Sequence, residues 1–358
     1  MPTPDTSVLI TFFREEGVLK DTIESALSQR YSDTEIVLVD NNASPENRAI
    51  AENYVSRYPK TVRLVHEPVQ GVCSARNTGF RESRGTFIAI LDGDDLMHPD
   101  RLTLQRAVFD ENPALSVVSS WYDRVSMDNK TVSRANVRQT EPTIWLETEE
   151  ILKGLFPTSK TSGSGKTLHF PLTSTSLFRR EQALEVGGFN LVFNPRWYED
   201  VEFFIRMHEM GEFQKVPVSL VRYRISSPEA MEVKQKQMDW VGLCRQLGVF
   251  YQVLWERYGN SKPKTQKIFE ELKALWYRHS SFYFLRYAKD NGLGTRMLSH
   301  SLKLNRRDMT TWKLWMKSAL PKSLHPKLFW FDSLNQAPLP AGADEQLVDS
   351  FFEGKSHK

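Results

Sequence analysis

The stretch FIAILDGDD, residues 87–95, joins a strand pattern to a cluster of carboxylates. Five consecutive apolar residues predict a strand that is covered on both faces of a sheet. Three acidic side chains follow within four positions: Asp92, Asp94 and Asp95. Like charges this close are costly to desolvate without a cation, and carboxylate oxygens suit Mg²⁺ and Mn²⁺. The segment therefore predicts a core strand that ends at a metal-binding edge.

The first hundred residues alternate between apolar runs and helical patterns. We predict strands at residues 7–13, 35–40, 61–66 and 86–92. This alternation predicts a parallel sheet covered on both sides, with ligands bound beyond the carboxyl ends of its strands. Polar residues end the second and fourth strands, so we expect both ends to face one crevice. D-x-D alone favours an acidic surface turn, but its place at the end of a core strand favours a binding site.

The segment WYEDVEFFIRM, residues 197–207, predicts a helix that opens with Glu199 and Asp200. Acidic residues are stabilised at helix N-termini, so capping alone could explain this pair. The functional alternative makes one of the two a general base. SGSGKT, residues 162–167, lacks the glycine at position 160 that a phosphate-binding loop requires. We expect that segment to be a flexible linker or a loop that gates substrate.

Charge is distributed unevenly along the chain. A net charge of +3 over 358 residues is too small to indicate nucleic-acid binding. Residues 226–330 carry 19 Lys and Arg against 8 Asp and Glu, and many aromatic residues. We predict a helical extension there and a disordered tail over residues 331–358. Peripheral contact with an anionic membrane and homodimer formation both fit the extension, as does an ordinary solvated helical face.

The cysteines and the N-terminal residues indicate the cellular compartment of the protein. The two cysteines, Cys73 and Cys244, form neither a disulfide framework nor a zinc pattern. The first residues lack the features of a secretory signal. No apolar run approaches the roughly 18 residues that a membrane span needs. These features predict a cytoplasmic protein.

Four segments, in this order and spacing, make residues 6–225 resemble the family-2, GT-A-type inverting glycosyltransferases. They are SVLITFFREEGVLKDTIESALSQRYSDTEIVLVDNNAS, GVCSARNTGFRESRGTFIAILDGDDLMHPDRL, TSTSLFRREQALEVGGF and YEDVEFFIRM. The resemblance implies an α/β GT-A nucleotide-diphospho-sugar transferase fold over residues 1–225, with a Rossmann-like, mostly parallel sheet. The C-terminal α-helical extension follows this domain.

The resemblance also implies an activity. It implies a transferase that depends on Mn²⁺ or Mg²⁺ and moves a sugar, with inversion, from a nucleotide-diphosphate donor to an acceptor hydroxyl. A UDP-sugar is the expected donor, and a saccharide or lipid-linked saccharide is the expected acceptor. The expected setting is surface polysaccharide or glycolipid assembly on the cytoplasmic face of the inner membrane. A nucleotidyltransferase and an inactive nucleotide-sugar-binding scaffold remain alternatives.

The resemblance assigns roles to individual positions of this sequence. Nucleotide-sugar contacts fall on Thr11, Phe13, Asp40, Asn41, Arg76, Asn77, Asp92 and Asp95. Asp94 is implied as the direct metal ligand, with Asp92 near the ribose and the metal. Asp200 is implied as the general base, with Glu199 beside it. Asn41 departs from the family pattern, in which many members have an aspartate that contacts uracil, and this puts uridine specificity in question.

Overall fold

The structure, a computed structural model, describes residues 3–134, 171–227, 240–259 and 291–318, apart from residues 16, 196 and 308, and parts of 269–285. These residues fall into two compact units, the first ending at residue 227 and the second beginning at residue 240. The segment SGSGKT and the predicted tail lie outside the described residues. The predicted domain limits at residues 225 and 330 remain predictions.

The first unit alternates strands with helices. Its strands are β1 Thr6–Phe12, β2 Thr34–Asp40, β3 Val62–His66, β4 Phe87–Asp92, β5 Leu96–Met97, β6 Leu115–Ser126, β7 Thr131–Ser133, β8 Leu177–Arg179 and β9 Glu212–Ile225. Its helices are α1 Leu19–Leu27, α2 Pro45–Arg57, α3 Val72–Glu82, α4 Arg101–Glu111, α5 Arg180–Glu185 and α6 Glu199–His208. Short 3-10 turns lie at Thr173–Thr175 and Leu191–Phe193.

The strands form one sheet in the order β3-β2-β1-β4-β8-β6-β9-β5, with β7 paired to β6. The first four strands are parallel, as the alternation of strand and helix predicts. Beyond them β8 runs antiparallel to β4 and β6, so the whole sheet is mixed. The sequence pattern of TSTSLF, residues 173–178, predicts a short strand, but the segment begins with the 3-10 turn at Thr173–Thr175 and becomes extended only at Leu177.

Alternate residues of the central strands enter two apolar layers. Val8, Ile10 and Phe12 of β1 belong to a core cluster that α1, α2 and α4 help to cover. Leu9 points to the opposite face, where α3 lies close enough that a Cβ on Gly79 would meet the Leu9 side chain at 2.2 Å. Successive side chains of a strand point to opposite faces, so an all-apolar strand requires both layers. Burial on both faces explains why β1 is a continuous apolar run.

The second unit is helical and rich in aromatic side chains. Its longer described helices are α7 Trp240–Tyr258, α8 Asn291–Leu304 and α9 Met309–Ser318. The Tyr251 hydroxyl donates to the carbonyl of Phe269 at 2.7 Å, and the indole of Trp315 donates to Ser299 Oγ at 3.0 Å. Among the described residues no helix has the length and apolarity needed to cross a membrane.

Candidate active site

The carboxyl ends of β1, β2 and β4 meet at one edge of the sheet. Thr11 pairs with Asp92 across β1 and β4, and Phe12 pairs with Asp40 across β1 and β2. The polar strand ends therefore share a crevice, as the sequence predicts. A pocket of about 350 Å³ opens beside them, within the size range of small-molecule sites. It is lined by Thr11, Phe12, Phe13, Glu15, Asn41, Gln70, Gly71, Val72, Ala75 and Pro195.

Arg76 lies behind this crevice as a buried bridge between two distant parts of the chain. Its side chain is 5% exposed. Nη2 donates to Asp92 Oδ1 at 2.8 Å, and Nη1 donates to Glu199 Oε1 at 3.3 Å. The Phe189 ring lies under the guanidinium at 5.0 Å. One buried cation thus joins the end of β4 to the start of α6.

Asp92 uses both of its carboxylate oxygens within the protein. Oδ1 accepts from Arg76, and Oδ2 accepts from Thr173 Oγ1 at 3.1 Å. Its backbone N–H donates to Ser174 Oγ at 3.0 Å. Burial acts to raise the pKa of Asp92, but the Arg76 charge and these hydrogen bonds outweigh it and hold the pKa below its usual value. The sequence predicts that a metal neutralises these carboxylates, whereas the counter-charge of Asp92 in the structure is Arg76.

Asp95 forms no direct ion pair in the described part of the chain, although its charge interacts with that of the buried Arg101 guanidinium. It is fully buried, its Oδ1 accepts the backbone N–H of Arg224 at 3.0 Å, and its Oδ2 has no hydrogen-bond partner among the described residues. Burial and the neighbouring charges of Asp94 and Asp92 raise its pKa well above the usual carboxyl value. An unpartnered buried carboxylate oxygen beside a second carboxylate indicates that a bound cation or proton stabilises this corner.

The donor set around Asp94 fits a hard divalent cation. Carboxylate oxygens are the ligands that Mg²⁺ and Mn²⁺ prefer, and such ions take further ligands from substrate phosphates and water. No cluster of three or more His, Cys, Asp or Glu side chains suited to a metal occurs in the described part of the chain. A cation here would therefore be held by one or two carboxylates together with a ligand.

Arg224 fixes the acidic turn from behind. Its side chain is fully buried, and Nη1 donates to the carbonyl of Asp94 at 3.0 Å. Nη2 donates to Asp21 Oδ2 at 2.7 Å, and Nε donates to Asn129 Oδ1 at 3.0 Å. These bonds tie α1, the turn before β7 and the end of β9 to residues 94–95. The turn is therefore held by groups that do not face the pocket.

Glu199 and Asp200 open α6, and two residues in the left-handed region precede them. Trp197 has φ 80° and Tyr198 has φ 67°, a conformation that non-glycine residues adopt at a cost of about 1–2 kcal/mol each. Burial raises the pKa of Glu199. The positive charge of Arg76 opposes this shift, and the negative charge of Asp200 adds to it. Burial also raises the pKa of Asp200, whose Oδ1 accepts the N–H of Val201 at 2.8 Å.

Asn41 is engaged by the loop that follows β3. Its Nδ2 donates to the carbonyls of Glu67 at 2.9 Å and Val69 at 2.8 Å. Its Oδ1 accepts from the backbone N–H of Gly71 at 2.8 Å and from Gln70 Nε2 at 3.2 Å. An aspartate cannot donate to the two carbonyls. The departure from the family pattern is therefore explained by loop architecture.

Asp40 and Asn77, which are also predicted to contact the nucleotide sugar, form hydrogen bonds with backbone groups of the protein. Asp40 accepts the N–H of Ala43 at 2.7 Å and pairs with Arg48 Nε at 2.7 Å. Asn77 donates to the carbonyl of Phe189 at 2.8 Å and accepts its N–H at 2.7 Å. Thr11 and Phe13 line the pocket, whereas the hydrogen bonds of Asp40 and Asn77 are directed at their own supporting segments.

Glu15 is a pocket residue that the sequence analysis did not select. Its Oε2 accepts the backbone N–H of Phe13. Burial raises its pKa to about 7, and the charges of Asp94 and Asp92 add to the effect. Its Cγ lies 3.0 Å from where a Cβ on Gly93 would be, which places it beside the acidic turn. The local sequence FREEG, residues 13–17, does not distinguish Glu15 from an acidic residue of an ordinary surface loop. The one sequence feature that could have indicated a role is its position three residues after the end of β1.

Sequence comparison connects this chain to known proteins. The sequence profile described as Glycosyl transferase family 2 matches residues 7–186. The chain is 34% identical to the uncharacterized glycosyltransferase EpsJ of Bacillus subtilis over 131 residues, 36% of this chain and 37% of EpsJ. It is 26% identical to the putative glycosyltransferase EpsH of the same organism over 303 residues, 82% of this chain and 80% of EpsH. The chain thus spans well under half of EpsJ and most of EpsH.

Two solved structures have a similar fold. TarS 1–349 of S. aureus, in complex with UDP-GlcNAc, superposes with a TM-score of 0.60 at 14% identity, covering 91% of this chain and 86% of that one. The mannosyltransferase PcManGT from Pyrobaculum calidifontis, in complex with GDP-Man and Mn²⁺, gives 0.52 at 16% identity, covering 92% and 84%. At these identities the likeness concerns the fold, and it confirms the predicted GT-A fold.

Asn41→Asp tests whether Asn41 is structural. The carboxylate cannot donate to the carbonyls of Glu67 and Val69, so we expect the free energy of unfolding to fall by roughly 2–3 kcal/mol. Asn42→Asp is the matched control, because Asn42 is its exposed neighbour and bonds only at the surface. Urea unfolding of both variants measures the difference. Equal losses in the two variants would contradict a buried organising role for Asn41.

Proposed function

The chain belongs to glycosyl transferase family 2, and we propose that it transfers one sugar per encounter from a nucleoside-diphosphate donor to an acceptor hydroxyl, with inversion at the anomeric carbon. One observation carries the proposal: Arg76 joins Asp92, which pairs with the pocket residue Thr11, to Glu199 at the start of α6. Donor-side and acceptor-side carboxylates are thereby held at one crevice.

The pocket at the ends of β1 and β2 suits the nucleoside half of the donor. Phe13 offers an aromatic ring beside the pocket, and Thr11 and Glu15 offer polar groups. Every polar atom of the Asn41 side chain is already bonded to the loop at residues 67–71. Base recognition therefore rests on other groups of the pocket. We propose a UDP-sugar as the first donor to test, with the base decided by a panel of donors.

Asp94, with Asp92 beside it, is the residue that we propose to hold Mn²⁺ or Mg²⁺. When bound, such an ion neutralises charge on the diphosphate leaving group. The chain contributes the carboxylate and a turn that Arg224 holds in place. Asp95 Oδ2 supports this assignment, because it is a buried oxygen without a partner among the described residues. Arg76, which the family resemblance assigns to the nucleotide sugar, instead fits a positioning role because its guanidinium is buried between carboxylates.

Asp200 is the proposed general base. The acceptor oxygen forms a bond to the anomeric carbon, its proton passes to the Asp200 carboxylate, and the bond to the diphosphate breaks with its electron pair. Glu199 is the less suitable base because its Oε1 pairs with Arg76. Burial raises the pKa of Asp200, which makes its carboxylate a stronger base than an exposed one. Glu199 and Arg76 then act by positioning the start of α6.

Surface polysaccharide or glycolipid assembly at the cytoplasmic face of the inner membrane is the setting that we propose. The family resemblance supports it, and a saccharide or lipid-linked saccharide is the matching acceptor.

Incubation with Mn²⁺ and a panel of nucleotide sugars tests the proposed reaction directly. We expect slow hydrolysis of one donor to its nucleoside diphosphate, because water can replace a missing acceptor. Release of pyrophosphate from a nucleoside triphosphate and a sugar phosphate would instead identify a nucleotidyltransferase. Donor binding without any turnover, across a panel of saccharide acceptors, would identify an inactive scaffold.

Asp200→Asn tests the base assignment. We expect turnover to fall by about 10²–10⁴-fold, because the amide cannot accept the proton, while the donor dissociation constant stays near the wild-type value. Glu199→Gln is the comparison variant at the adjacent position and should lose less turnover. Single-turnover assays and calorimetry provide the two readouts. Wild-type turnover in Asp200→Asn would remove Asp200 as the base.

Asp94→Ala tests the metal assignment. We expect the variant to lose the gain in nucleoside-diphosphate affinity that Mn²⁺ confers on the wild type, because the cation loses its protein ligand. Asp100→Ala, at a half-buried carboxylate that pairs with Arg30, is the control and should keep that gain. Titration calorimetry with and without Mn²⁺ measures both variants. An unchanged metal effect in Asp94→Ala would place the cation elsewhere.

A further inference from the structure

Helix α9 of the second unit, residues Met309–Ser318, has a packed face and an exposed face. On the packed face Thr311 is fully buried, and Thr295 of α8 donates to Ser318 Oγ at 3.1 Å. The indole of Trp315 donates to Ser299 Oγ, also in α8, at 3.0 Å. These contacts fix which side of α9 lies against α8. The opposite side of α9 therefore faces away from α8.

The exposed side of α9 is apolar. Met309 is 63% exposed and Met316 is 52% exposed, and the indole of Trp312 also reaches solvent. The three residues are spaced three and four positions apart, so they line one face of the helix. Leu304, at the end of α8, is a fourth large exposed apolar side chain in this unit. We call Leu304, Met309, Trp312 and Met316 the apolar stripe.

Basic residues surround the apolar stripe. Exposed cationic side chains are present at Lys303, Arg306, Arg307 and Lys313. Residues 291–318 contain six Lys and Arg and one acidic residue, Asp308. An apolar stripe with a cationic border is the pattern of a helix that lies in the interface of an anionic bilayer.

We propose that the apolar stripe and its basic border dock this protein on the surface of an anionic lipid bilayer. Methionine and leucine side chains would enter the boundary between headgroups and acyl chains, where tryptophan is also favoured. The Lys and Arg side chains would contact the negative headgroups, each contributing about 1 kcal/mol near the surface. Binding of this kind is peripheral and reversible, and it needs no membrane-spanning helix.

Charge favours a lipid surface over a second copy of the chain. In a symmetric dimer the same patch would meet itself, so each basic border would face another. The single acidic residue in 291–318 could not balance six basic ones on each side. An anionic bilayer supplies the missing negative charge across the whole patch. The proposal concerns the second unit alone and does not depend on the proposed transfer reaction.

Vesicle flotation of the full chain tests the proposal. We expect binding to vesicles that contain phosphatidylglycerol, weak binding to pure phosphatidylcholine, and loss of binding as salt rises. The triple variant Met309→Glu, Trp312→Glu, Met316→Glu should bind at least about tenfold more weakly, since it removes apolar contact and adds negative charge. Each of Lys303→Gln and Arg307→Gln should weaken binding by about fivefold.

Matched controls separate the stripe from a general effect of added charge. The triple variant Met127→Glu, Val132→Glu, Val218→Glu adds the same three charges at exposed apolar positions of the first unit. It should bind vesicles like the wild type, and circular dichroism should show that both triple variants are folded. Equal vesicle binding by both triple variants would overturn the proposal. Light scattering that shows a stable dimer dissociated by the α9 variant, without vesicle binding by the wild type, would assign the stripe to a second copy.

Discussion

The buried guanidinium of Arg76 is the interaction on which the candidate site depends. It pairs with Asp92, 16 positions away, and with Glu199, 123 positions away. Breaking a buried, hydrogen-bonded ion pair by removing one partner typically costs about 3–5 kcal/mol, because the other charge is left uncompensated. This one side chain therefore holds the end of β4 and the start of α6 at a fixed separation. Asp92 and the proposed base at the start of α6 take their relative positions from this bridge, while Arg224 holds the turn at residues 94–95.

The acidic turn is consequently divided into two electrostatic environments. Asp92 is compensated within the protein and keeps a low pKa. Asp95 is buried with one unpartnered oxygen, and its pKa is well above the usual value. Asp95 is therefore the carboxyl group of this turn that a proton or a nearby cation would stabilise most.

Much of the fold follows from patterns that are local in sequence. Continuous apolar runs bounded by polar residues predict β1 to β4 and their parallel order, and they place Asp40 and Asp92 at the same edge. The sequence pattern predicts a short strand over TSTSLF, of which Thr173–Thr175 is the first half. That half forms a 3-10 turn instead, and its side chains support Asp92. Tertiary hydrogen bonds decide that segment, and they are not encoded by local propensity.

The sequence does not predict which groups the polar side chains form hydrogen bonds with. Asn41, Asn77 and Arg76 were selected because the family resemblance places ligands near them. In the structure their hydrogen bonds go to a loop, to the backbone at Phe189 and to two carboxylates. Contacts of this kind join residues up to 123 positions apart, so they cannot be predicted from the periodicity of the sequence. Glu15 was overlooked for the same reason, since only the folded chain brings it beside Gly93.

The decisive measurement is diffraction from crystals grown with Mn²⁺ and the preferred nucleoside diphosphate. We expect an anomalous manganese peak at the Asp94 carboxylate, with Arg76 still bonded to both Asp92 and Glu199. A peak elsewhere, or an Arg76 guanidinium that has left those carboxylates to bind the diphosphate, would show that Arg76 does not organise the site in this way.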